Sequence, residues 1–258
     1  FRCGGCHNLE ISGGVSALDD LARGESSAAY ARPEELIDVA LRHGVQGIAF
    51  TSSEPAVWLE YVIDVCSLAR QAGLYTVYVS NSFVTAEALE RVAPHLDVLC
   101  SDIKSLRDDF YQAICPTASA AQILSSIERA RTLGIHVETR TNVIPGQNDD
   151  MDELYEIACW VRDHLGVTSP WHITKFFPAY KLSHLAPTPD ETLWAAHARA
   201  RKAGLINVYA HPDKGCDCAT KNRPIDDYLA GLVDDIHAVK KCRADCCGSA
   251  GVLLKKYE

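Results

Sequence analysis

Two clusters of cysteine stand out as residues that can do chemistry. The first is in "FRCGGCHNLEIS", residues 1–12, where Cys3 and Cys6 are separated only by glycines. A Cys-x-x-Cys pair suits a redox dithiol, half of a zinc site or half of an iron–sulfur site. Gly-Gly between the thiols makes an adaptable loop, with backbone N–H groups free to approach inorganic sulfide. The second cluster gathers Cys216, Cys218, Cys242, Cys246 and Cys247, five of the eleven cysteines. Four thiolates can hold tetrahedral zinc, or an auxiliary iron–sulfur cluster; inert free thiols are the alternative. Cys66, Cys100, Cys115 and Cys159 fall in apolar helix or strand patterns and read as small buried hydrophobes. A disulfide framework belongs to small secreted domains, so the clusters point to metal in a reducing compartment.

These residues need elements to hold them. Helical periodicity covers 33–43, 55–73, 85–94 (with Thr85 at its N-cap), 118–134, 149–166 and 188–204. Between the helices lie short apolar runs at 44–51, 74–80, 97–103, 135–144, 170–177 and 205–210, which read as buried strands. Strictly alternating strands and helices imply a parallel sheet with right-handed crossovers. The expected class is α/β, a partial TIM-type (βα)6 barrel. In such barrels the active site is built at the carboxyl ends of the strands. The turns there are polar: "TSSEP" (51–55), "SNSF" (80–83), "SDIK" (101–104), "ETRTNVIPGQNDD" (138–150) and "WHITKF" (171–176). The first cysteine loop sits where a strand-one to helix-one loop belongs, which places the first strand upstream of Phe1. Residues 1–210 are read as the barrel and 211–258 as a Cys-rich metal-binding tail.

The bulk numbers narrow the function. The 258 residues carry 47% hydrophobic and 23% charged side chains and a net charge of −9. Phosphate binding needs clustered Lys and Arg, so a nucleic-acid partner is not expected. No apolar run reaches the ~18 residues of a membrane helix, so no membrane partner is expected.

In order and spacing, "CGGCHNLEIS", "WLEYVIDVCSLARQAGL", "SDIKS…FY", "VIPGQNDDMDEL", "PWHITKFFPAYKL" and "PTPDETL" resemble those of radical S-adenosylmethionine (SAM) enzymes. They are similar to the glycyl-radical-enzyme activases, such as pyruvate formate-lyase activating enzymes, and closer still to the AmmeMemoRadiSam-system type. The family motif is C-x-x-x-C-x-x-C, three thiolates on a 4Fe–4S cluster. Cys3 and Cys6 match its second and third cysteines, and the first would fall two residues before Phe1. The resemblance implies an open iron chelated by the SAM amino and carboxylate groups, reductive cleavage to a 5′-deoxyadenosyl radical, and hydrogen abstraction from a substrate. Gly5 departs from the bulky residue usual before the third cysteine. The tail departs as well, with C-x-C and C-x-x-x-C-C where relatives carry C-x-x-C knuckles.

By the same resemblance Ser52, Ser53 and Glu54 stand for a Gly-Gly-Glu-type turn that grips the SAM amino group; a helix N-cap is the plain alternative. Asp102 and Lys104 match an Asp-x-Lys strand end. Alternate strand residues share a face, so both can point into a site, or they form a structural salt bridge. Arg140 can pair bidentately with the SAM carboxylate, with Glu138 on its face. His172 suits a ribose hydroxyl or is a satisfied core histidine, and Asn81 is a second ribose candidate. Asn148, Asp149 and Asp150 read as caps of the following helix. Cys3, Cys6, Lys104 and Arg140 are the residues expected to act on the reacting groups. A flavodoxin or ferredoxin donor and a reducing cytoplasm follow by family analogy. The alternatives are SAM-dependent radical methyl or group transfer, and a non-catalytic metal-bound interaction module.

Overall fold

A computed structural model describes residues 3–8, 31–116 and 118–211. The five tail cysteines, Cys216 to Cys247, and the Gly/Ser-rich stretch at 13–27 lie outside the described residues. The described residues form six β-strands. The chain divides into two compact units, one of residues 1–137 and 178–186, the other of 138–177 and 187 onward.

The first unit starts with α1, Pro33–Arg42, whose proline occupies the first turn, where no N–H is needed. Glu35 reaches back to accept from the Arg32 N–H at 2.8 Å. β1, Gly47–Phe50, pairs in parallel with β2, Tyr75–Ser80, and β2 with β3, Val98–Asp102. Gly47 is required: a Cβ there would lie 2.5 Å from the Tyr75 ring. The segment read as one helix from residue 55 has two parts. A 3-10 turn, Pro55–Trp58, precedes α2, Leu59–Gln71. α2 buries Leu59, Val62, Val65, Cys66 and Ala69, an i, i+3, i+4 stripe. Thr85 caps α3, Ala86–Val92, accepting from the Ala88 N–H at 3.2 Å. α4, Asp108–Ile114, is a helix that periodicity did not reveal, because seven residues hold less than two full turns of pattern. Asp108 accepts from the Ala120 N–H at 2.9 Å and so opens α5, Ala120–Thr132.

β4, His136–Val143, begins in the first unit, where the His136 N–H donates to the Asp97 carbonyl at 3.0 Å, and runs on into the second. There β4 pairs in parallel with β5, Trp171–Lys175, and β5 with β6, Val208–His211. Trp171 is fully buried, and its indole N–H donates to the Thr141 hydroxyl at 2.9 Å, which satisfies the one polar atom of that ring. α6, Met151–Trp160, gives way to a π turn, Val161–Leu165, that ends at Gly166 with φ +100°. α7, Asp190–Lys202, follows, with Asp190 salt-bridged to Lys175 at 3.1 Å. Of the three polar residues before α6, only Asp150 is a cap, accepting from the Asp152 and Glu153 N–H groups. Asn148 instead braces the turn, accepting from the Ile144 N–H and donating to the Asn142 carbonyl, and Asp149 accepts from the Gly146 N–H. Among the described residues, no helix is long and apolar enough to cross a membrane.

Candidate active site

The thiol loop is a turn, since the Cys6 N–H donates to the Cys3 carbonyl at 3.2 Å. Both thiols are half-buried. The loop is anchored by backbone: the Gly4 N–H donates to the Ile114 carbonyl at 2.8 Å, and the Leu182 N–H donates to the Gly4 carbonyl at 3.2 Å. Gly4 is buried, and a Cβ there would meet the Leu182 side chain in ordinary contact at 3.7 Å, so it is the backbone bonds that hold the loop. This clasp sets Cys3 beside Cys115, whose thiol donates to Cys3 Sγ at 2.9 Å. That bond lowers the Cys3 thiol below its usual range, against burial and with help from Lys104. The same bond, with burial, pushes Cys115 up. Two thiols on one glycine turn are the donor chemistry an iron–sulfur cluster takes, so the residues fit as far as they go. Among the described residues, no group of three or more His, Cys, Asp or Glu is arranged to hold a metal ion.

At the carboxyl ends of β1 to β3 a polar network forms around Glu54, which is 7% exposed. Its carboxylate accepts from the Ser80 hydroxyl at 2.7 Å, the Asn81 N–H at 2.9 Å and the Asn81 side-chain amide at 3.0 Å. The Ala56 N–H, at 3.4 Å, adds only a weak cap. Asn81 turns its carbonyl oxygen to the Lys104 ammonium, which also meets Asp102 at 2.6 Å. The amide is oriented by these partners, an acceptor on one side and a donor on the other. Lys104 and Asp102 keep only 14% and 12% of their side-chain surface. Burial works against the lysine charge, yet Asp102 and the nearby Cys115 and Cys3 hold the ammonium well above the usual lysine range. Behind the network, Ser82 and Ser101 share a hydroxyl–hydroxyl bond of 2.6 Å, and the Tyr111 hydroxyl accepts from the Lys104 N–H at 3.2 Å.

The turn leading into Glu54 keeps a glycine conformation without a glycine. Ser52 has φ +73°, a left-handed value that costs a side-chain-bearing residue ~1 kcal/mol. The Ser53 N–H donates to the Thr51 carbonyl at 3.0 Å across it.

The second unit carries a different set. In the β4–β5–β6 register Arg140 pairs with His172, and His172 with Tyr209. Glu138 and Arg140 share a face of β4, and Tyr209 and His211 share a face of β6. His172 Nε2 lies 3.0 Å from Glu138, and its Nδ1 lies 3.3 Å from His211 Nε2. The imidazole of His172 stacks on Tyr209 at 5.0 Å and on His211 at 5.6 Å. A carboxylate only accepts, so His172 Nε2 carries the proton. Loss of hydration, then the neighbouring His172 and Arg140, bring His211 down to about 4.

The sequence-derived candidates therefore fall into two groups. Glu54, Asn81, Asp102 and Lys104 meet in one network of the first unit, and Glu138 and His172 meet in the second. Arg140 stands in the same row, and Ser52 and Ser53 form the turn before Glu54. Ser80, Tyr111, Cys115, Tyr209 and His211 take part without having been foreseen. Ser80 and His211 end their strands, a position that could have drawn notice; Tyr111 closes the segment "SDIKS…FY" but was given no role, and Cys115 gave no signal in the chain.

Comparison with known proteins follows the same lines. The chain is 36% identical over 209 residues to an uncharacterised protein of Methanocaldococcus jannaschii, covering 81% of this chain and 60% of that protein. It is 24% identical over 166 residues to the pyruvate formate-lyase-activating enzyme of Clostridium pasteurianum, covering 61% of this chain and 63% of that enzyme. It is 25% identical over 120 residues to the (2S)-3-sulfopropanediol dehydratase activating enzyme of Klebsiella oxytoca, covering 46% and 38%. The chain thus spans less than two thirds of each of these relatives. In fold it is similar to a domain of a pyruvate-formate lyase-activating enzyme from Bacteroides vulgatus, with TM-score 0.55 at 18% identity over 64% of this chain and 99% of that one. It is also similar in fold to SuiB of Streptococcus suis, with TM-score 0.61 at 7% identity over 88% and 51%. The signature of the Radical SAM superfamily matches residues 1–158, from the cysteine loop into α6. A match over more than half of the chain, on a parallel α/β fold with its polar groups at the strand ends, leaves one conclusion: the chain belongs to the radical SAM superfamily.

Proposed function

We propose that the chain is the barrel part of a radical-generating enzyme, with Cys3 and Cys6 as thiolate ligands of a 4Fe–4S cluster and SAM as its cosubstrate. When bound, the cluster supplies the electron that cleaves SAM to methionine and a 5′-deoxyadenosyl radical, which takes a hydrogen atom from the substrate. The observation that carries this reading is the superfamily match that begins at the cysteine loop and runs through every strand end of the first unit.

The residues then have these roles. Glu54 fixes Asn81, and Asn81 with Asp102 fixes the Lys104 ammonium; the network presents both signs of charge to a zwitterionic methionine end. Ser52 and Ser53 shape the turn that meets the SAM amino group. Arg140 is assigned to the SAM carboxylate, and His172 to a ribose hydroxyl with its ring held by Glu138. Relatives named as activating enzymes support an activase, whose substrate hydrogen sits on a glycine of a partner protein. A flavodoxin or ferredoxin supplies the electron in a reducing cytoplasm. The tail cysteines Cys216, Cys218, Cys242, Cys246 and Cys247 hold zinc or a second cluster.

The test uses the gene product with whatever residues precede Phe1 in its gene, reconstituted anaerobically with iron and sulfide. With SAM and dithionite it should release 5′-deoxyadenosine, and the same protein without reductant should not. A reconstituted protein of about four irons per chain that releases none overturns the proposal. Methylated product from labelled SAM, with no 5′-deoxyadenosine, assigns the chain to group transfer instead.

A further inference from the structure

We propose that Cys3 and Cys115 form a disulfide site, which closes when Cys3 is not bound to iron. The two residues are 112 positions apart in the chain, and a backbone clasp brings them together. The Gly4 N–H donates to the Ile114 carbonyl at 2.8 Å, so the residue before Gly4 and the residue after Ile114 are set side by side. Leu182 locks the clasp from its other side by donating to the Gly4 carbonyl. The sulfurs already touch, at 2.9 Å. A disulfide is ~2.0 Å long, so closure needs a movement of about 1 Å, within reach of two side-chain rotations.

A shared metal ion is a poorer account of the contact. Thiolates at ~2.3 Å from one tetrahedral ion sit about 3.8 Å apart, well beyond this separation. Packing alone explains the burial of Cys115 and does not explain why its thiol meets the loop thiol.

The division of labour suits thiol exchange. Cys3 is half-buried and within reach of an oxidant, whereas Cys115 is buried at 2% exposure. With a small disulfide such as oxidised glutathione, the Cys3 thiolate attacks one sulfur and releases one glutathione thiolate, leaving a mixed disulfide. Cys115 then loses its proton and attacks the Cys3 sulfur, which releases the second glutathione. Two protein thiols and one glutathione disulfide become one protein disulfide and two glutathione thiols, so atoms, electrons and protons balance. The consequence for cluster assembly rests on the proposed function, because only there is Cys3 an iron ligand. On that reading the disulfide withholds Cys3 from iron until a reductant opens it.

The test takes the 258-residue chain, reduced, stripped of metal with a chelator and treated anaerobically with oxidised glutathione. Unreduced digests read by mass spectrometry should show the Cys3 peptide joined to the Cys115 peptide as the main product. Cys115→Ser should lose that product and carry glutathione on Cys3; Cys115→Ala serves if the serine variant fails to fold. A main product joining Cys3 to Cys6, or Cys115 recovered as a free thiol from the native chain, overturns the site. Iron and sulfide uptake should fall at least fivefold in the oxidised chain and return with dithiothreitol; equal uptake before and after overturns the withholding. If the reduced chain and the full gene product both refuse iron while the linkage still maps, the proposed function has failed and the disulfide site stands.

Discussion

The two units arrange the charged and ionisable groups of their strands in opposite ways. At Glu54, Asn81, Asp102 and Lys104 the first unit uses carboxylates, an amide and an ammonium, each matched by a partner within hydrogen-bond reach. At Glu138, His172 and His211 the second unit uses imidazoles in series, whose protons and tautomers set the contacts. A network of paired ions and hydrogen bonds is intolerant, since removal of one member takes a partner from another that is buried. An imidazole row is adjustable, since one proton can redirect it. The contrast teaches where a perturbation is felt as lost stability and where as altered pH response.

The largest effect belongs to the paired network. Lys104→Met takes the Lys104 ammonium from buried Asp102 and should destabilise the first unit by about 3 kcal/mol. Asp102→Asn combined with Lys104→Met should recover most of that loss. Denaturant unfolding of both variants checks it, and a cost below ~1 kcal/mol for the single change would mean the pair behaves as an exposed one. Next comes Glu54→Gln, which swaps one acceptor oxygen for an N–H2 group facing donors. It should cost about 2 kcal/mol, read by the same unfolding curves, and displace Asn81.

The smallest effect tests the imidazole row. Folded His211 stays neutral down to about 4, against an ordinary value of 6.5. Between those values the unfolded chain binds the extra proton, so stability falls as pH drops from about 6.5 towards 4 and is whole above that window. His197, also lowered by burial and then by Arg201, acts with the same sign. His211 as a residue is exposed, so its share of the slope lies well below the one-proton limit of ~1.4 kcal/mol per pH unit. His211→Asn should flatten the curve measured between pH 4 and 7 without abolishing it. An unchanged slope would dissolve the contrast between the units.

Much of this was legible in the chain. Buried strands such as "LYTVYVS" and capped helices announce themselves by period and punctuation, so β2 and α3 stood where expected. Asp102 and Lys104 were legible through the resemblance to an Asp-x-Lys strand end; β3 itself stops at Asp102, so Lys104 lies just beyond it. What the chain could not show was distance across it. Nothing in residues 108–115 betrays that Tyr111 meets the Lys104 backbone or that Cys115 meets Cys3, and a buried cysteine in an apolar pattern looks like any small hydrophobe. Cys66 is that kind: fully buried, with burial pushing its thiol up to about 12. The turn at Ser52 shows a subtler gap. Sequence shows only a serine there, while the backbone takes a left-handed conformation that glycine adopts freely.

α4 carries a consequence of its own. A helix of seven residues is too short to persist in water by itself. It lasts because Phe110, Tyr111 and Ile114 are buried and because the Tyr111 hydroxyl is tied to the strand end. The Gly4 amide hangs from its last carbonyl. Order in the cysteine loop is therefore borrowed: whenever α4 frays, the turn that holds Cys3 and Cys6 loses the backbone support that Ile114 gives it. The entropy of ordering that loop falls on hydrophobic side chains more than a hundred positions downstream, and the loop and its prop form one cooperative unit.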